Sequence, residues 1–169
     1  MNDINEIKND IQRLATEIGT RLSNYSQTIA TAESCTAGGV ANAIASVDGA
    51  SAYLKGGFIT YATEVKEQLL GIPHSLIAEN GVVSKEVAEA MAVAARQLTH
   101  SDIGIGVTGY IGTSGGDEHA DNGTVFFCIS QQAGNKVVKM LVDGSRQENS
   151  LLVIHRILET VGLQSSNQL

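Results

Sequence analysis

"QTIATAESCTAGGVANAIAS", residues 27–46, passes from strand-favouring residues through small polar ones into a helix-forming run. Gln27 to Ala32 leans towards strand through its β-branched Thr28, Ile29 and Thr31. From Val40, VANAIAS reads as helix. Between them "TAESCTAGG" (31–39) holds nothing large enough to fill a core. A strand that runs through a short polar turn directly into a helix is the building unit of an α/β fold. In such sheets ligands collect at the carboxyl ends of the strands, where the turns present backbone N–H groups.

Upstream of this junction, Ile4, Ile7, Ile11, Leu14, Ile18 and Leu22 recur at spacings of three and four, which predicts an amphipathic opening helix. Downstream, GGFITYA (56–62) is a second strand, and TEVKEQLLG is a short helix with Thr63 as N-cap and Gly71 beyond its end. Ser84 caps KEVAEAMAVAARQL, and DIGIGVTG (102–109) has the pattern of a buried strand. A glycine-rich loop, 110–122, leads to GTVFFCIS and KVVKMLV, two strands joined by QQAGN as a hairpin. Ser145 and Glu148 form a capping box at the start of the last helix. The order predicts a three-layer α/β/α sandwich on a mixed, mostly parallel sheet of about five strands. Residues 1–169 are expected as one domain, with the 1–23 helix packed on it and 164–169 as a disordered tail.

Composition narrows the partners. A net charge of −7 over 169 residues excludes a general nucleic-acid surface, which needs clustered lysine and arginine. The polar opening MNDINEIKND and the lack of a long apolar run point to a cytoplasmic protein without a membrane partner. Cys35 and Cys128 match no zinc or redox spacing and are expected as free thiols. His119 lies in the acidic run GGDEHADNG with no second histidine at ligand spacing, so that run is expected to be solvated and no metal is expected.

The candidate chemistry gathers at the strand ends. Ser34 is either a nucleophile beside N–H donors or a plain helix-capping hydroxyl. Cys35 is intrinsically more nucleophilic and near a helix N-terminus that would lower its pKa, but no histidine is placed to assist it. Glu33 is either an acceptor for loop N–H groups or a group that orients a ligand. Lys66 falls in the first turn of its helix, where the macrodipole disfavours a cation. It either bends into solvent or, with a depressed pKa, serves as base to a serine. Tyr61 can hold a substrate or Lys66 by its hydroxyl, or be an aromatic with one wet end. Arg146, at the first position of the last helix, suits an approaching phosphate or is a solvated arginine.

Taken in order, "TAESCTAGG", "GGFITYATEVKEQLLGI", "NGVVSKEVAEAMA", "GVTGYIGTSGG", "NGTVFF" and the "GSR" before the last helix resemble the CinA C-terminal-domain family. Its enzymatic members are nicotinamide-nucleotide amidases. The likeness runs from about Ile4 to about Leu163. It implies an α/β/α sandwich on a mixed sheet. It also implies hydrolysis of the carboxamide of nicotinamide mononucleotide (NMN) to nicotinate mononucleotide and ammonia, by a Ser–Lys pair without metal or cofactor. Carried over residue by residue, Ser34, Lys66 and Tyr61 are the catalytic positions. Glu33, Cys35, Thr36, Gly38, Thr108, Gly109, Gly112 and Arg146 surround the substrate, with Arg146 on its phosphate. A small nucleotide ligand and a homo-oligomer complete the expectation, without the molybdopterin-binding-like domain of longer members. The chain departs from the family pattern at Ala37, where a glycine is usual, at Tyr110 and Thr113, and in the acidic stretch 117–121. Two alternatives stand beside the amidase: a non-catalytic pyridine-nucleotide-binding paralogue, and an amidase for another small carboxamide.

Overall fold

The computed structural model describes residues 4–164. Chain order is α1 (Ile4–Asn24), β1 (Ile29–Glu33), α2 (Gly39–Ala45), β2 (Leu54–Ile59), α3 (Thr63–Leu70), α4 (His74–Asn80), α5 (Lys85–Thr99), β3 (Ile103–Gly109), β4 (Thr124–Gln131), β5 (Gly134–Leu141) and α6 (Arg146–Gln164). The strands form one mixed sheet in the order β2-β1-β3-β4-β5. β1 pairs in parallel with β2 and β3, while β4 is antiparallel to both of its neighbours. Four strands therefore run one way and β4 alone runs against them, giving the expected mixed α/β fold.

Each face of the sheet follows from alternation along its strands. On β3, Ile103, Ile105 and Val107 point into a core shared with Leu14, Ile18 and Leu22 of α1 and Val153, Ile157 and Leu158 of α6. The alternate positions, Gly104 and Gly106, face α5. A Cβ on either would stand 2.1 Å from the Ala92 carbonyl or 2.3 Å from the Ala88 carbonyl. The "IGIGV" run thus admits α5 against the sheet at backbone distance, with Ala88, Ala92 and Ala95 as its contact residues. Helices cover both faces, so β1 and β3 are buried along their length.

Several sequence expectations shift. Thr63 is the first residue of α3 and Ala62, in extended backbone, is its N-cap, with no side-chain cap. β2 covers 54–59 rather than 56–62, because the chain leaves the ladder at Thr60 to enter α3. α4, which follows Pro73, was not anticipated. The hairpin is tighter than QQAGN suggests: Gln131 pairs directly with Gly134. Ser84 caps α5 by accepting from the Val87 N–H, and the Ser145–Glu148 box is present. The run GGDEHADNG (115–123), expected to be solvated, is exposed except at Ala120 and Gly123, which are buried. Of the expected 164–169 tail, Gln164 instead ends α6, and residues 165–169 lie outside the described residues.

This topology assembles the site. β1, β2 and β3 are mutually parallel, so Ser34, Tyr61 and Thr108 come to the same end of the sheet, at the carboxyl ends of these strands. β5 runs in the same direction, which brings Arg146 there as well. The chain goes from β1 to β2 on one side and reaches β3 on the other, so Ser34 and Thr108 flank the point where strand order reverses.

Candidate active site

Glu33 is closed off from solvent at the end of β1. Its carboxylate accepts from Thr36 Oγ1 at 2.6 Å, from the N–H groups of Gly38 and Val40 at 3.0 Å each, and from Ala41 N–H at 2.8 Å. One carboxylate thereby satisfies the Thr36 hydroxyl and three N–H groups at the start of α2. Of the four residues of this turn expected against the substrate, Cys35 lines the cavity, whereas Glu33, Thr36 and Gly38 frame the turn and do not. Ala37, where the family pattern has glycine, has φ 49° and occupies the left-handed region that glycine favours.

The turn presents Ser34, held by its N–H to the Val107 carbonyl at 3.0 Å. Lys66 reaches it from α3. Lys66 and Leu70, one turn apart, are the buried positions of that helix, so the lysine stem lies on the inward stripe. No part of Lys66 touches solvent. Its Nζ lies 3.0 Å from Ser34 Oγ, 2.7 Å from the Thr60 carbonyl and 3.2 Å from the Tyr61 carbonyl. Burial lowers its pKa from 10.5 to about 8, against a smaller opposing pull from Cys35 and Glu64. In the neutral amine, two N–H bonds can go to the two carbonyls, which aims the lone pair at the Ser34 hydroxyl. A hydroxyl and an amine of the kinds that can serve as nucleophile and base thus stand at hydrogen-bond distance.

Cys35 follows a different course. Its thiol is buried and, chiefly by that burial, pushed up to about 12, so the helix end does not activate it. It is a free thiol, as is Cys128. The Tyr61 hydroxyl does not meet Lys66; it accepts from Arg146 Nη2 at 2.8 Å, and it is the Tyr61 carbonyl that takes the ammonium. Thr108 donates its hydroxyl to the Val82 carbonyl at 2.9 Å, which ties the segment before α5 to the site.

A cavity of about 260 Å³ opens between these groups. Ser34, Cys35, Tyr61, Lys66, Thr108, Gly109, Gly112 and Arg146 all line it. Arg146 also stands near the loop: a Cβ on Gly112 would be 3.7 Å from its Nη1. Sequence reasoning missed Val82 and Val83, which form a wall, and the Thr60 carbonyl that anchors Lys66. Every residue carries a carbonyl, so no residue-type signal could have singled out the latter. Tyr110, one of the departures from the family pattern, is part of the lining, and its hydroxyl donates to Asp117 Oδ2 at 2.8 Å. A larger hollow of about 460 Å³ lies at the opposite end of the sheet, beside Gln27, Arg96 and Asp102. Its Asp102 carboxylate is engaged by Thr28 N–H and Oγ1, and no nucleophile–base pair occurs there. Among the described residues no cluster of His, Cys, Asp and Glu could hold a metal, and no helix is long and apolar enough to cross a membrane.

Fold and site together define an α/β/α protein with a buried serine–lysine pair at the switch point of its sheet. Residues 11–163 match the CinA C-terminal domain, and the chain belongs to that family. Over 119 residues, 70% of this chain, it is 46% identical to a "CinA-like protein" of Geobacter sulfurreducens. A "CinA-like protein" of Geotalea uraniireducens is 38% identical over 143 residues. The chain spans 29% and 34% of the length of these two relatives. Among solved structures, the competence/damage inducible protein CihA from Agrobacterium tumefaciens superposes with a TM-score of 0.85 at 31% identity, covering 94% of this chain and 96% of that one. The competence damage-inducible protein A (ComA) from Klebsiella pneumoniae shares the fold with a TM-score of 0.90 at 24% identity, over 94% and 99% of the two chains.

Proposed function

We propose that this protein is a cytoplasmic, cofactor-independent amidohydrolase that converts NMN to nicotinate mononucleotide and ammonia. The observation that carries the reading is the contact of Ser34 Oγ with a wholly buried Lys66 Nζ at 3.0 Å. Ser34 Oγ attacks the carboxamide carbon while neutral Lys66 takes its proton. The resulting oxyanion is met by backbone N–H groups. Within 34–39 those of Ser34, Ala37, Gly38 and Gly39 are already bonded, which leaves Cys35, beside the nucleophile and in the cavity lining, as the donor of this turn. Collapse breaks the C–N bond, and Lys66 returns its proton to the nitrogen, which departs as ammonia. Water then attacks the Ser34 ester; Lys66 takes a proton from it and hands it to Ser34 Oγ, freeing the carboxylate product. Arg146 and the α6 N-terminus face the phosphate, and Tyr61, hydrogen-bonded to Arg146, lies between the two ends.

The test is deamidation of NMN by the purified protein, followed as ammonia and nicotinate mononucleotide. Turnover is expected, and Ser34→Ala should lower it by about a thousandfold or more while NMN still binds. A wild-type protein that binds NMN without releasing ammonia, beside an active reference amidase, overturns the amidase and favours the binding paralogue. Release of ammonia only from other carboxamides would reassign the substrate.

A further inference from the structure

We infer that Asn149 is a positioning residue that clasps two walls of the cavity together and thereby sets where Arg146 meets the substrate. The inference rests on the amidase reading for its kinetic consequence, but its structural basis is independent of it. Asn149 is 1% exposed and lies on the inward stripe of α6, one turn before Val153 and two before Ile157. Asparagine is a poor residue for such a position, because its side chain competes for backbone groups. Here it makes three contacts with other backbone. Nδ2 donates to the Ile111 carbonyl at 3.0 Å and to the Gly144 carbonyl at 2.9 Å, and Oδ1 accepts from Gly144 N–H at 2.9 Å. Two carbonyls on one side and an N–H on the other admit a single orientation of the amide.

The consequence is geometric. Ile111 belongs to the segment that runs from Thr108, at the end of β3, to Gly112 along one wall of the cavity, and Gly144 lies two residues before Arg146. The Asn149 amide is the side-chain tie that bonds both segments at once. The Ser145–Glu148 box fixes the first turn of α6 from the solvent side, and Asn149 fixes it from the core side. Arg146, held between them, can then keep its guanidinium on the Tyr61 hydroxyl and beside Gly112. Ser34 and Lys66 hang from β1 and α3 and make no bond to the clasp. Asn149 therefore acts on substrate placement and leaves the nucleophile–base pair intact.

Two measurements test this with Asn149→Ala and the nearly isosteric Asn149→Asp, which turns a carboxylate oxygen towards two carbonyls. Without any substrate, amide hydrogen exchange should rise in 109–114 and 143–147 and stay unchanged in β1 and α3. With NMN, KM should rise about tenfold while kcat stays within about twofold, and Asn149→Ala should add nothing in an Arg146→Ala background. Exchange that rises uniformly, or not at all, overturns the clasp. A fall in kcat at unchanged KM, or full additivity with Arg146→Ala, overturns its action through Arg146. If the wild type releases no ammonia from NMN, the amidase reading fails, and hydrogen exchange alone decides the clasp.

Discussion

Raising pH across the range of a buried lysine tests the base directly. Lys66 titrates at about 8, against 10.5 for an ordinary lysine, because burial penalises its charged form. If neutral Lys66 takes the Ser34 proton, only that form of the free enzyme reacts. About one molecule in ten is then competent at pH 7, about half at pH 8 and nearly all above pH 9. The expected kcat/KM for NMN climbs about tenfold from pH 7 and levels off above pH 9. No histidine lines the cavity, and the Cys35 thiol is pushed up to about 12, so neither supplies a competing limb in that window. The same shift has a stability consequence of fixed sign. A lysine whose folded pKa lies below its unfolded one costs stability while protonated, here on the order of 3 kcal/mol below pH 8. This cost fades as pH rises from about 8 to 10.5, where the unfolded chain still binds the proton and the folded one does not. Initial rates of ammonia release from pH 6.8 to 10, with urea unfolding at the same pH values, measure both. A rate that stays flat from pH 7 to 9, or that keeps rising with unit slope to pH 10, refutes the assignment of Lys66 as a base tuned by burial.

Two further outcomes follow from the nucleophile turn. Glu33→Gln replaces an oxygen that accepts from backbone N–H groups by an NH₂, so at least one of its four donors loses its partner. It should destabilise by about 2–3 kcal/mol and slow turnover through misplacement of Ser34, read by thermal unfolding and by kcat; an unchanged melting temperature would count against the framing role. Ala37→Gly relieves a left-handed alanine at φ 49° and should raise stability by about 1 kcal/mol at unchanged KM, whereas a loss of stability would show that the turn carries no strain there.

Much of this protein was legible in its residues alone. The strand–turn–helix at 27–46, the Ile/Gly alternation of 103–107 and the capping signals at Ser84 and Ser145 are local patterns, and local patterns survive folding because the periods of helix and strand are fixed by backbone geometry. They were enough to place the α/β/α layers and the end of the sheet where Ser34, Lys66, Tyr61 and Arg146 gather. Tertiary structure alone decided what each of those groups touches. Glu33 left the substrate list because four donors from its own turn converge on it. Cys35 lost its claim as nucleophile because burial outweighs the helix end. The Tyr61 hydroxyl turned to Arg146 while its carbonyl, invisible in any sequence, took Lys66. Lys66 is the sharpest case: its position in α3 predicted only a disfavoured cation. Whether it escapes into water or points inwards at Ser34 depends on the Thr60 and Tyr61 carbonyls, and those are brought into place by strand pairing over long sequence distances.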